Sequence, residues 1–316
     1  MAHPFEVSNF NSFDLPFPTY QEPKEIGNFS LDANREFVLG SEGCKYLILP
    51  ADSNRVRFDL NKGYEQAIKK NFQSPEKLDN LLKWFLNSKQ LKTNLSADFV
   101  CYRGLLSLLL CTPYEKNDGW IICATKYDNI IYLCQYDTPE KIEREQNATD
   151  REKRMSSWGY KFEQYLSSTN VSEKPNVNEP VNENEEFCAV VRTRLNSHIL
   201  VFGAEMDCVS PSTSNSSSMS RYVELKTNRI ISSQRQERNF QRYKLLKWWS
   251  QSFLIGIREI VCGFRDDEGI VHNVETFPLK EIPKSAKGMW NPNVCMNFCE
   301  KFLSYVKQCV MKSDPR

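Results

Sequence analysis

Apolar and polar positions along the chain keep two rhythms. Over residues 63–91 the apolar positions fall at helical spacing, with Tyr64, Ile68, Leu78, Leu81, Leu82, Trp84 and Phe85 as core candidates and a break near Ser74-Pro75. Residues 99–103 lead into the apolar run 105–111. The stretches 119–125 and 130–134 are strand-like, and Tyr127-Asp128-Asn129 between them is turn material, which predicts a hairpin. Residues 138–168 predict a charged helix that turns amphipathic near Trp158, Tyr160, Phe162 and Tyr165. Strands are expected at 187–194, 198–207 and 221–227. A helix carrying basic and aromatic residues is expected over 238–253. A second hairpin, 259–264 with 270–277, turns at 266–269, and a helix over 293–311 follows.

Polar stretches interrupt this pattern without separating two cores. Residues 1–23, rich in Phe, Pro and Asn, predict an irregular N-terminal arm on the surface, and 24–316 a single domain. The acidic Asn/Glu/Pro stretch near 172–186 and the serine-rich stretch near 210–220 predict flexible inserts that contribute little apolar burial. Hairpins and helices without regular βαβ alternation predict an α+β fold.

Composition narrows the function classes. Among 316 residues, 41 Lys and Arg face 40 Asp and Glu, a net charge of +1. That excludes coating of nucleic acid by bulk charge and leaves room for a local basic groove. The start lacks a basic segment followed by an apolar run, so secretion is not expected. The run 105–111 is far short of the roughly 20 residues that span a bilayer, so no membrane association is expected. The 11 cysteines are then expected as free thiols in a reducing compartment. Cys295 and Cys299, four apart and without a second ligand pair, do not make a zinc site.

Candidate chemistry lies in four short signals: Glu163 in Gly-Tyr-Lys-Phe-Glu, Glu205-Met-Asp207, Glu224-Leu-Lys226, and Lys247 with Gln251. On a strand, residues two apart share a face. Glu205 with Asp207, and Glu224 with Lys226 on a neighbouring strand, would put three carboxylates and an ammonium on one surface. Carboxylates so close cannot all stay ionised without cations, and hard divalent ions prefer such oxygens. Paired metals are a recurrent device for phosphodiester hydrolysis. Lys226 could orient the nucleophile, and Gln251 could hold the water or a phosphate oxygen. The competing view is a solvated face of alternating Glu and Lys. Arg103, between apolar segments, must find an anion: either an internal salt bridge or a substrate phosphate or carboxylate. The three histidines show no triad arrangement.

Taken in order, Tyr102-Arg103-Gly104, the segment 159–163, Glu205-Met-Asp207, Val223-Glu-Leu-Lys-Thr227 and the segment 244–254 resemble the decapping exoribonuclease (DXO) family. The likeness is to its animal members, and it extends over Asp118-Gly-Trp-Ile and the segment 290–299, from about residue 24 to the C-terminus. The resemblance implies one catalytic domain with two twisted mixed β-sheets flanked by helices and a restriction-nuclease-like active-site core. It implies an RNA 5′-end hydrolase acting in RNA 5′-end quality control. Such an enzyme removes incomplete and NAD-type caps, releases pyrophosphate from 5′-triphosphate ends and degrades RNA 5′ to 3′. The alternative is a catalytically silent RNA 5′-end binder of the same fold. By motif, Glu163, Asp207, Glu224 and the Leu225 carbonyl would hold two Mg²⁺ or Mn²⁺ ions, with Glu205 acting on them through water. Lys226 and Gln251 would position the water and the scissile phosphate, and Arg103 would contact the RNA 5′ end. The family also implies residence in the nucleus, with the cytoplasm the alternative, and a monomer is expected. An exoribonuclease partner, known for fungal relatives, has no support in this sequence. Tyr102 stands where tryptophan is more usual, and the acidic insert near 172–186 is long.

Overall fold

The computed structural model describes residues 4–8, 10–70, 76–88, 96–214, 216 and 218–313. Its strands in chain order are β1 (Lys24–Leu31), β2 (Phe37–Leu39), β3 (Tyr46–Leu47), β4 (Phe58–Asp59), β5 (Phe99–Tyr102), β6 (Ile121–Tyr127) and β7 (Ile130–Tyr136). They continue with β8 (Ser167–Ser168), β9 (Glu186–Leu195), β10 (His198–Glu205), β11 (Cys208–Val209), β12 (Tyr222–Arg229), β13 (Glu259–Arg265) and β14 (Ile270–Pro278). The helices are α1 (Asp79–Asn87), α2 (Arg103–Cys111), α3 (Pro139–Gln146), α4 (Asp150–Leu166), α5 (Gln234–Asn239), α6 (Leu245–Ile255), α7 (Ile282–Ser285) and α8 (Pro292–Cys309). A π-helical turn, Phe240–Lys244, joins α5 to α6.

Two mixed sheets carry the fold. The first runs β2-β1-β9-β10-β5-β7-β6, parallel where β5 meets β10 and β7. The second runs β4-β14-β13-β12-β11-β3-β8, parallel at β12–β13 and β11–β3. Strand β10 is covered on both faces, which explains its unbroken apolar run. On one side α2, α6 and α8 bury Leu106, Leu109, Trp249, Phe298 and Leu303 with Phe202 and Ala204 of β10. On the other, Trp84 and Phe85 of α1 pack on Val190, Val201 and Phe29. Helix α4 lays Trp158, Phe162 and Leu166 against Val223, Leu225 and Val261 of the second sheet. It can come this close because Gly263 has no side chain: a Cβ there would stand 2.3 Å from the Phe162 ring.

Several expectations change. The charged helix is two helices, because Thr149 opens α4 with a reciprocal capping box to Glu152 and Thr138 caps α3. In the stretch 63–91 the described helix is α1, after a short turn at Tyr64–Gln66; Ile68 is exposed. The break near Ser74-Pro75 lies outside the described residues. The N-terminal arm is irregular and leaves Phe10 and Phe17 exposed, yet other aromatics anchor it. Phe13 is buried, Phe5 packs edge-on to Phe298 and Phe302, and the Tyr20 hydroxyl donates to the Leu254 carbonyl at 2.6 Å.

The acidic stretch also departs from its composition. It forms a strap bonded along its length. Lys161 donates to the Val177 carbonyl (2.9 Å), Gln164 to the Glu179 carbonyl (3.1 Å) and Lys62 to Asn178 (2.6 Å). Ile68 pairs with Asn182 as an isolated bridge, and buried Glu183 holds Lys69 at 2.8 Å. A polar segment with few apolar residues is fixed here by satisfied hydrogen bonds rather than by burial of carbon.

Candidate active site

The site forms where the chain passes from one sheet to the other. Strand β10 ends at Glu205, Met206 and Asp207 cross the gap, and β11 opens the second sheet at Cys208. Glu205 and Asp207 therefore do not share one strand face. They meet because the link is two residues long. Strand β11 runs antiparallel to β12, pairing Cys208 with Val223, so Asp207 comes opposite the Glu224 region. The Leu225 N–H donates to the Asp207 carboxylate at 2.6 Å. Strand β5 runs parallel to β10, with Tyr102 beside Gly203, and so delivers Arg103 to the same end of the sheet. A Cβ on Gly203 would stand 2.7 Å from the Tyr102 ring, so glycine there lets the aromatic lie across the strand. Glu163 enters from α4.

Two charge environments adjoin. Glu224, 1% exposed, is gripped by Arg103 Nη1 at 2.8 Å and Lys226 Nζ at 2.5 Å. Burial alone would raise its pKa, but the two cations outweigh burial and hold it near about 2. Arg103 is itself buried and does find an internal anion. Glu163, Glu205 and Asp207 have the opposite problem. Burial and the charges of Asp207 and Glu205 hold Glu163 well above the usual carboxylate range. Burial, then Glu186 and Asp207, push Glu205 up to about 7. Burial and Glu224 push Asp207 to about 6 against the pull of Lys226. Glu205 is exposed to solvent along a cavity of about 590 Å³, so its carboxylate is the most wetted of the set. Glu163, Glu205 and Asp207 all line that cavity.

This donor set fits a hard divalent cation. Its ligands are carboxylate oxygens, and the mutual repulsion that raises three of them is what a cation would relieve. Among the described residues, no three acidic, histidine or cysteine side chains already converge at coordinating distance. Glu224 faces Arg103 and Lys226 instead. Gln251 is half-buried on α6, next to Ser250, whose hydroxyl meets that of Ser107 on α2 at 2.5 Å. Among the described residues no hydrogen bond joins Gln251 to the carboxylates. Sequence patterns missed Glu186, the foremost charge acting on Glu205, and Lys70, which pairs with Glu186 at 2.7 Å. Glu186 opens β9 where the strap ends, Lys70 follows the Ile68 bridge to the strap, and neither carries a local signature.

Residues 21–316 match the family model described as RAI1 like PD-(D/E)XK nuclease. The chain belongs to the RAI1-like nuclease family. The (D/E)XK in that description has the spacing of Glu224-Leu225-Lys226. The chain is 37% identical to the decapping and exoribonuclease protein of Xenopus laevis, over 95% of this chain and 79% of the relative. It is 38% identical to the human protein of that name, over 95% and 78%. Among solved RAI1-like structures, Candida albicans Rai1 in complex with pU5 and Mn²⁺ superposes with a TM-score of 0.88 at 25% identity, covering 99% of this chain and 88% of that one. Scheffersomyces stipitis Rai1 in complex with (3′-NADP)⁺ and a calcium ion gives 0.82 at 28% identity, covering 94% and 84%. The two-sheet α+β architecture is thus that of the family.

Proposed function

We propose that this chain is a divalent-metal-dependent hydrolase of RNA 5′ ends. It would remove defective and NAD-type caps, release pyrophosphate from 5′-triphosphate ends and degrade RNA 5′ to 3′. The observation that carries this is the junction between the sheets. Four carboxylates, an arginine and a lysine meet there, in a chain whose relatives are named for decapping and exoribonuclease activity. The pU5 and (3′-NADP)⁺ complexes of the fungal relatives support RNA 5′ ends and NAD-type caps as substrates.

In this proposal Glu163, Asp207, Glu224 and the Leu225 carbonyl hold two Mg²⁺ or Mn²⁺ ions, and Glu205 reaches them through water. Bound there, the ions would supply an acidified water and charge neutralisation at the leaving oxygen. The chain's own residues do the rest. Arg103 and Lys226 keep Glu224 ionised in a buried place. Lys226, a quarter exposed, is the cation that can turn to a phosphate oxygen while its stem stays on β12. Arg103 offers remaining guanidinium N–H groups to a 5′ phosphate. Gln251, on α6 packed against α2, positions water or phosphate. The Asp207 carboxylate is oriented by the Leu225 N–H before any ligand arrives.

Product analysis tests this. Purified protein is offered 5′-monophosphate, 5′-triphosphate, NAD-capped and unmethylated-capped RNA with Mg²⁺, Mn²⁺ or EDTA. Release of intact end groups in metal, and none in EDTA, is expected. The double variant E205A/D207A should retain RNA binding and lose turnover. Binding without any product from the wild type would instead make the chain a silent 5′-end binder.

A further inference from the structure

The cavity beside the carboxylates has an acidic lining, and a group of cations lies outside it. Burial, then Lys247, Arg265 and Lys226, lower the pKa of Lys244, and of these cations Lys226 bonds Glu224. None of these four lines the cavity. The strap does line it. Glu173 and Glu179 come from the strap and Glu42 from the loop before β3, and none of the three has an ion pair among the described residues. The cations in the lining are Lys45 and Lys174, and Lys45 is already drawn to Glu185 at 3.5 Å.

The strap cannot swing away without breaking bonds. Its backbone is held by Lys161 and Gln164, the residues two before and one after Glu163 on α4. A wall tied to the helix that carries a site carboxylate keeps its charges at a fixed place relative to the reacting centre. About 590 Å³ suits a small group rather than a length of polynucleotide.

We propose that the strap, together with the loop before β3, is a specificity wall: Glu42, Glu173 and Glu179 disfavour extra phosphate on the RNA end and favour uncharged or cationic end groups. The inference rests on the 5′-end hydrolase reading above. Its physics is Coulombic. A triphosphate brings several negative charges toward an acidic wall, whereas the nicotinamide half of an NAD-type cap brings a positive ring.

The test is the triple variant E42Q/E173Q/E179Q. Each substitution keeps shape, and the amide oxygens can still accept the bonds that Asn170 and Asn176 donate to Glu173 and Glu179. kcat/KM is measured for 5′-triphosphate and NAD-capped RNA of one sequence. The ratio of triphosphate to NAD-capped turnover should rise about threefold or more at low salt. In the wild type the same ratio should rise with salt, as screening weakens the wall, which needs no variant. A ratio unmoved or lowered in the variant, together with a salt-independent wild type, overturns the proposal. A wild type that releases neither end group overturns the hydrolase reading and the wall with it. Release of both at an unmoved ratio overturns the wall alone.

Discussion

Glu224 is anchored at both carboxylate oxygens, and the two anchors are not equivalent. Arg103 is buried with it, whereas Lys226 is partly wetted. Arg103→Met would leave a buried carboxylate short of a partner, a change that typically destabilises by about 3–5 kcal/mol. Arg103→Lys should retain part of that. Chemical denaturation of both variants checks the order. Because Glu224 is depressed to about 2, its contribution is present above its ordinary value and is lost as pH falls toward 2. Its neighbours behave oppositely. Glu205 and Asp207 are raised, so they stabilise the metal-free fold below their ordinary pKa values. That contribution disappears as pH rises through about 6 for Asp207 and about 7 for Glu205. In EDTA, Tm should therefore fall between pH 5 and pH 7.5 by way of these groups, by less in E205Q/D207N, and Mn²⁺ should flatten the fall. A wild-type slope in EDTA equal to that of the double variant would contradict the assignment.

Elements were legible in proportion to how local their causes are. The hairpin of β6 and β7 and that of β13 and β14 follow from alternating apolar residues around turn residues, and both form. Asn129 and Asp128 even take the positive φ that such turns need. The placing of Glu205 and Asp207 was not legible as geometry. Alternation says they share a face; the chain instead leaves one sheet between them, a choice made by long-range pairing of β11 with β12. The strap was illegible for a related reason. Its partners, Lys62, Lys161 and Gln164, are on other elements, and composition registers only its lack of apolar residues. Deleting residues 174–185 should accordingly lower Tm by several degrees, against near-neutrality for an unanchored loop. At the close contacts the effects are steric. Gly263→Ala should press on Phe162, cost about 1–3 kcal/mol and shift Glu163 next to it, read as a drop in kcat with Tm.

At the scale of the molecule, the site draws on nearly everything. Arg103 depends on β5, Glu205 on β10, Asp207 and Glu224 on the second sheet, and Glu163 on a helix that packs against that sheet. Divalent ions that bind such a site only when folded should raise Tm with concentration, and do so less in E163Q or D207N. Differential scanning fluorimetry over a Mn²⁺ titration checks this; equal shifts in all three proteins would contradict the assigned donors.

The two-residue crossing from β10 to β11 has a further consequence. A catalyst assembled across a seam has no working fragment. If either sheet melts, Glu205 and Asp207 part company, and the other half retains no competent remainder. Partly folded or clipped copies of this chain should then be inert toward RNA rather than indiscriminate. During heating, loss of turnover should coincide with the first opening of the seam, earlier than the loss of helical signal.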